Sequence, residues 1–186
     1  SRLLASQDSN TYFNDFVAPW PTAANGLTDQ FGVSISGSGA NVQTGATQGI
    51  DFVRRARGVL SLVTGTTATG RSALRTSANV SILGMRPEKF EASVLIGTLS
   101  TSSEEYSLDV GFSDVLNSGT LEPTNGALFR YNRAVDGDFW TCITRAAGTP
   151  TKTVTSVATV TNNGSTTPFV KLGIEIPAGG ASVRFL

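Results

Sequence analysis

Histidine is absent from all 186 residues, and this gap removes more chemistry than any residue present adds. Without imidazole there is no Ser-His-Asp triad, no Cys-His pair, no His-ligated zinc and no imidazole pH switch. Cysteine occurs once, at Cys142, which excludes an intrachain disulfide, a thiolate zinc cluster and a C-x-x-C redox pair. Charge is scarce too. Asp, Glu, Lys and Arg make up 15% of the chain, against about 25% in a typical soluble domain. Fourteen acids balance fourteen bases, so no net field favours nucleic acid or an anionic membrane, and neither is expected as a partner. No apolar run approaches the ~20 residues that cross a bilayer as a helix. No basic stretch followed by an apolar one opens the chain, so it reads as a mature form, with Ser1 left by methionine removal or a processing cut. What is abundant is short hydroxyl side chains, 24 Thr and 20 Ser. They solubilise the surface in place of charge. The length fits one ordinary domain with a core of its own, and the expectation is a non-catalytic binding or structural protein without cofactor or metal.

The apolar pattern has period two almost throughout. Phe90, Ala92, Val94 and Ile96 alternate with Glu91 and Ser93, and Tyr106, Leu108, Val110 and Phe112 alternate with Ser107, Asp109 and Gly111. Val170, Leu172, Ile174 and Ile176 repeat the pattern, followed by Val183 and Phe185. Such runs read as half-buried strands. Further strands are expected at Val59 to Thr64, Arg71 to Thr76, Ala127 to Arg133, Phe139 to Arg145 and Val154 to Thr161. Turn signals fall between them at Asn25-Gly26, Asn125-Gly126, Asp136-Gly137, Asn163-Gly164 and Ala178-Gly179-Gly180, where Gly and Asn tolerate positive φ. The fold class expected is all-β: a β-sandwich of two antiparallel sheets with little or no helix, one helical turn at most within Asp51 to Leu60.

Residues 1–26 read as an N-terminal arm and first strand, and residues 27–186 as the sandwich domain. The arm carries Tyr12, Phe13, Phe16 and Trp20, the last fixed between Pro19 and Pro21 in an extended segment. These aromatics either dock on the core as a first strand or pack on a neighbouring subunit.

Other candidates are few. Gly65-Thr66-Thr67-Ala68-Thr69-Gly70-Arg71-Ser72 has phosphate-loop spacing, but period two continues through Ser72, Leu74 and Thr76, so a Thr-rich hairpin is the better reading. Polysaccharide cleavage needs two carboxyl groups across a groove, one with a raised pKa. Glu88 and Glu91 fall on opposite strand faces, Glu104-Glu105 falls in a loop, and Asp109 and Asp114 lack a partner at i+2. Asp136-Gly137-Asp138, and Asn117 with Glu122, offer oxygens for calcium, yet Asp-Gly is first a turn pair. Arg54, Arg55 and Arg57 form the one basic concentration, suited to bidentate contacts at an interface or to a solvated edge. Trp140, Tyr131, Phe129 and Trp20 are candidate platforms for a sugar ring, Tyr131 and Trp140 foremost, set against a plain core role. Cys142 reads as a small buried filler.

Three stretches together resemble a known family. They are Leu60-Ser-Leu-Val-Thr-Gly-Thr-Thr-Ala-Thr-Gly-Arg-Ser-Ala-Leu74, Phe90-Glu-Ala-Ser-Val-Leu-Ile-Gly-Thr-Leu-Ser-Thr101 and Ser107-Leu-Asp-Val-Gly-Phe-Ser-Asp114. Gly126 to Tyr131, Asp138 to Arg145 and Val183 to Leu186 follow in the same order. The whole resembles the concanavalin A-like jelly-roll domains of bacteriophage virion proteins. The resemblance implies a jelly roll on the virion surface, as a capsid decoration, head-fibre or tail-fibre component. Its partners would be other virion proteins and further copies of itself, with contacts through Tyr12, Phe13, Phe16, Trp20, Arg54, Arg55 and Arg57. A second reading is a glycan-binding adsorption module using Tyr131 and Trp140 on a host surface glycan; a third is a depolymerase. No catalytic motif comes with the resemblance, and the histidine of the lectin metal loop is missing. In that family the strand resembling Ala181 to Leu186 is followed by Asn-Gly and further strands, so completion of the sheet is expected from later residues or from a neighbour's strand.

Overall fold

A computed structural model describes residues 31–38, 40–44, 60–66, 68, 70–76, 83–97, 99–115, 122–158 and 169–186. The chain divides into two compact units, Ser1–Leu74 and Arg75–Leu186. The expected boundary after residue 26, the arm and the helical turn near Asp51 lie outside the described residues.

In the first unit β1 (Phe31–Ser36) pairs with β4 (Arg71–Thr76), and β2 (Asn41–Thr44) pairs antiparallel with β3 (Leu60–Val63). The Thr-rich stretch after Val63 therefore joins strands of two different ladders. It is not the hairpin expected from its alternation, because period two identifies a strand and says nothing of its partner. Thr66 N donates instead to the Ser38 carbonyl at 3.1 Å. With β4 starting at Arg71, no helix N-terminus follows Gly70 to face a phosphate.

The second unit is an antiparallel sandwich. One sheet is an up-and-down meander of β6 (Ser107–Ser113), β7 (Gly126–Asn132), β8 (Phe139–Ala146) and β9 (Thr149–Ala158). The other is ordered β11 (Arg184–Phe185), β10 (Val170–Ile176), β5 (Glu88–Val94). One helical turn, α1 (Arg133–Asp136), links β7 to β8 and ends at Gly137 with φ 71°. Asp136-Gly137 thus closes a helical turn before it closes a hairpin. The tight hairpin is at Ala147-Gly148, between β8 and β9, with φ 49° and 82°. Two positive φ values make a type I′ turn, and the Gly alone supplied a weak sequence cue.

The alternation predicted for β5 and β6 is what the burial follows: Phe90, Ala92 and Val94, like Leu108, Val110 and Phe112, turn inward. They pack around a buried cluster of Ile96, Ala127, Phe129, Tyr131, Trp140, Leu172, Ile174 and Ile176. Edge-to-face ring pairs hold it, among them Phe129–Phe185 at 5.0 Å, Tyr106–Tyr131 at 5.5 Å and Phe90–Phe112 at 5.9 Å. β7 and β8 do not alternate cleanly, because their other face is also dry. Leu128, Thr141 and Ile143 are buried there, on the face that carries Arg130 and Arg145, which reach Glu122 and the Pro123 carbonyl of the segment leading into β7.

Candidate functional site

Two places in the second unit gather chemistry. The first is ionic. Register places Asp109 of β6 opposite Arg130 of β7 on the face away from the core, and the guanidinium grips that carboxylate through two bonds of 2.7 Å. A third arm reaches Glu122 at 2.7 Å, whose other oxygen meets Arg145 at 3.1 Å. Nearby, Asp136 accepts from the Lys152 ammonium at 2.6 Å. The hydrogen bond from Arg130 holds the Glu122 carboxyl below its ordinary range against its desolvation, and the bonds to Asp109 first and then to Glu122 raise the Arg130 guanidinium. A general acid needs the opposite displacement. Acid and base are already spent on one another here, and the arrangement braces the loop before β7 against the sheet.

The second place is apolar. Between the two sheets, on the flank where β9 overhangs, lies an open notch of about 190 Å³. Trp140 and Cys142 of β8 and Leu172 and Val170 of β10 form its walls, and Thr155 and Val157 of β9 its rim. β9 bulges at this point: Ala158 pairs with Phe139 and Val154 with Thr141, so residues 155–157 stand against Trp140 alone. Thr155 Oγ1 closes the bulge by donating to the Trp140 carbonyl at 2.6 Å. Burial pushes the Cys142 thiol up, so it stays protonated at neutral pH. Val157 and Leu186 remain half exposed beside it, at 49% and 55%.

The two foremost sugar platforms are placed otherwise than as exposed rings. Tyr131 is 0% and Trp140 1% exposed. The Tyr131 hydroxyl accepts from Ser100 N at 3.0 Å and donates to Asp138 Oδ1 at 3.4 Å, so its polar end is satisfied internally. Trp140 packs edge-on against both Phe129 and Tyr131, and only the notch reaches it. Pattern alone puts such rings on a strand face without telling which face is dry. Glu88 and Glu91 lie on opposite faces of β5, and Glu104-Glu105 in a loop, as expected. Asp114 accepts from the backbone of Thr124 and Asn125. Asp136 and Asp138 face Lys152 and Arg133, with no cluster of three metal-ligating side chains among the described residues. Tyr12, Phe13, Phe16, Trp20, Arg54, Arg55, Arg57 and Asn117 lie outside the described residues. Neither the notch nor the Glu122 bridge was anticipated; both depend on register between distant strands.

A family model described as SO2946-like, C-terminal domain, matches residues 55–186. The chain belongs to the SO2946-like family. The matched stretch takes in the whole sandwich unit and the β3–β4 connection, so both the notch and the ionic brace are parts of the SO2946-like domain. No curated protein matches the chain, and no solved structure does.

Proposed function

We propose that this chain is a non-catalytic surface protein of a bacteriophage particle, a jelly-roll capsid decoration or fibre component that stabilises or displays. It assembles with virion proteins and with further copies of itself, and Tyr12 to Trp20 and Arg54 to Arg57 supply the contacts. One observation carries the non-catalytic part: the acids gathered on the outer face of the four-stranded sheet, Asp109, Glu122 and Asp136, are consumed by Arg and Lys partners, while the described cavity is walled mostly by apolar side chains. Such a surface works by contact. The particle itself is supported by the sequence resemblance to phage jelly rolls. The glycan reading loses the two rings it was built on, since both belong to the core.

The test compares particles with and without the protein for resistance to heat and osmotic shock. Lower resistance on removal, restored by adding the protein back, is the expected result. Equal resistance, together with failure of the protein to bind stripped particles, sinks the proposal.

A further inference from the structure

Asparagine followed by glycine is the pair most prone to deamidate, because glycine has no side chain to shield its nitrogen from the neighbouring carboxamide. At Asn125-Gly126 the fold calls for both residues. A Cβ on Gly126 would lie 2.7 Å from the Phe112 carbonyl oxygen, so any larger residue would force β6 and β7 apart. Asn125 ties three segments together at the entry to β7. Its Oδ1 accepts from Ala147 N at 3.0 Å in the β8–β9 turn, and its Nδ2 donates to Asp114 Oδ2 at 3.2 Å just past β6. The Asp114 carboxylate also accepts from Asn125 N at 2.8 Å and from Thr124 N at 2.9 Å. Both ends of the carboxamide are therefore pinned, and its plane is not free to turn toward the next nitrogen.

The nucleophile is held as well. Asp114 N donates to the Asn125 carbonyl at 3.2 Å, which turns the main-chain groups of Asn125 toward β6. Alternation then turns the Gly126 N–H the other way, toward β8, where register sets Arg145 opposite it. We propose that Asn125 is a modification site gated by the fold, intact while the Asp114–Asn125–Ala147 clasp is closed and deamidated when the entry to β7 opens. In the open state the Gly126 nitrogen attacks Asn125 Cγ, a C–N bond forms, and Nδ2 leaves as ammonia with the Gly126 amide proton. Solvent water then splits either C–N bond of the cyclic imide, leaving aspartate or, with the main chain rerouted through the side chain, isoaspartate. Neither product rebuilds the clasp. Aspartate puts an oxygen where Nδ2 stood, 3.2 Å from Asp114 Oδ2, so a hydrogen bond becomes a like-charge contact. Isoaspartate adds a methylene to the backbone at the residue leading into β7, whose register both β6 and β8 share. The change runs one way, and the modified fraction records how often this corner of the sheet has opened. The inference does not depend on the particle reading.

The full chain is held in mildly alkaline buffer, digested, and scored by mass spectrometry for deamidation at Asn125, beside a free peptide of residues 122–129. In the folded chain Asn125 is expected to convert roughly tenfold more slowly than in the peptide, or slower still, because the reaction waits on opening. Asp114→Ala removes the clasp and leaves Asn125 and Gly126 in place, so it should bring the rate toward that of the peptide, with the near-ultraviolet signal showing that the variant is folded. A second pair of variants reads the product directly. Asn125→Asp should lower the unfolding midpoint by a few degrees, and adding Asp114→Asn, which takes away the like charge, should restore part of the loss. Equal rates in the folded chain and the peptide overturn the proposal. So does a folded Asp114→Ala protein that converts no faster than the parent, and so does an Asn125→Asp protein as stable as the parent.

Discussion

Gly111 sits in the middle of β6 with φ 145°, where an added Cβ would lie 2.5 Å from the Ala127 carbonyl oxygen and 2.7 Å from Ile174 Cδ1. The backbone of β6 can approach β7 and β10 this closely because nothing projects there. Gly111→Ala is expected to cost about 2–4 kcal/mol in chemical unfolding, through overpacking and backbone strain together. Ser107→Ala, exposed on the same strand, should stay within about 0.5 kcal/mol. Equal effects of the two would remove the packing argument. Glu122 makes the second prediction. Its carboxyl is held below the usual 4.5, first by the Arg130 hydrogen bond, so it titrates at lower pH folded than unfolded. Such a group adds stability that is complete above the unfolded value and lost as pH falls through the folded one. Its side chain is 42% exposed, and solvent screening keeps the gain small. Glu122→Gln should lower stability at pH 7 and leave it unchanged once the pH is below the folded titration of Glu122, flattening the acid limb. Parallel stability curves for the two proteins would refute the assignment.

At the scale of elements, the legible part of the fold was what local pattern controls. Arg71 to Thr76 and Val170 to Ile176 were delimited to the residue, because alternation begins and ends there with clear polar breaks. β1 and β2 went unassigned: Phe31, Val33 and Ile35 do alternate with Gly32, Ser34 and Ser36, a period-two signal that was overlooked, whereas Asn41-Val-Gln-Thr is four residues with one apolar side chain and has no period to read. β9 begins at Thr149, five residues before the expected Val154, because its first half is Thr and Lys exposed on both faces and offers no apolar period. The same limit explains the site. Trp140 lines a notch only because β10 crosses opposite it, and Glu122 bridges two arginines only because β7 and β8 are in register; neither relation has a local signature. Tyr131 shows the reverse error, an amphipathic ring whose hydroxyl found Ser100, thirty-one positions away.

Among the described residues the buried cluster belongs to one unit: every member, and every residue of its partly buried fringe, lies between Leu83 and Phe185. A fragment of residues 77–186 is therefore expected to unfold cooperatively and to keep the near-ultraviolet signal of Trp140, its one remaining indole. A fragment without that signal would show that the sandwich depends on the preceding residues. Within the sandwich the four-stranded sheet is not uniform. Leu128 and Ile143 shut out water behind β7 and β8 while Phe129 and Trp140 shut it out in front, whereas β9 is wet on both sides over most of its length. Amide pairs at the centre thus sit in a weakly polarisable medium, and those at the rim compete with solvent for every bond. Melting should creep inward from the rim, with the amides of β9 the first to exchange with solvent and those of β7 the last.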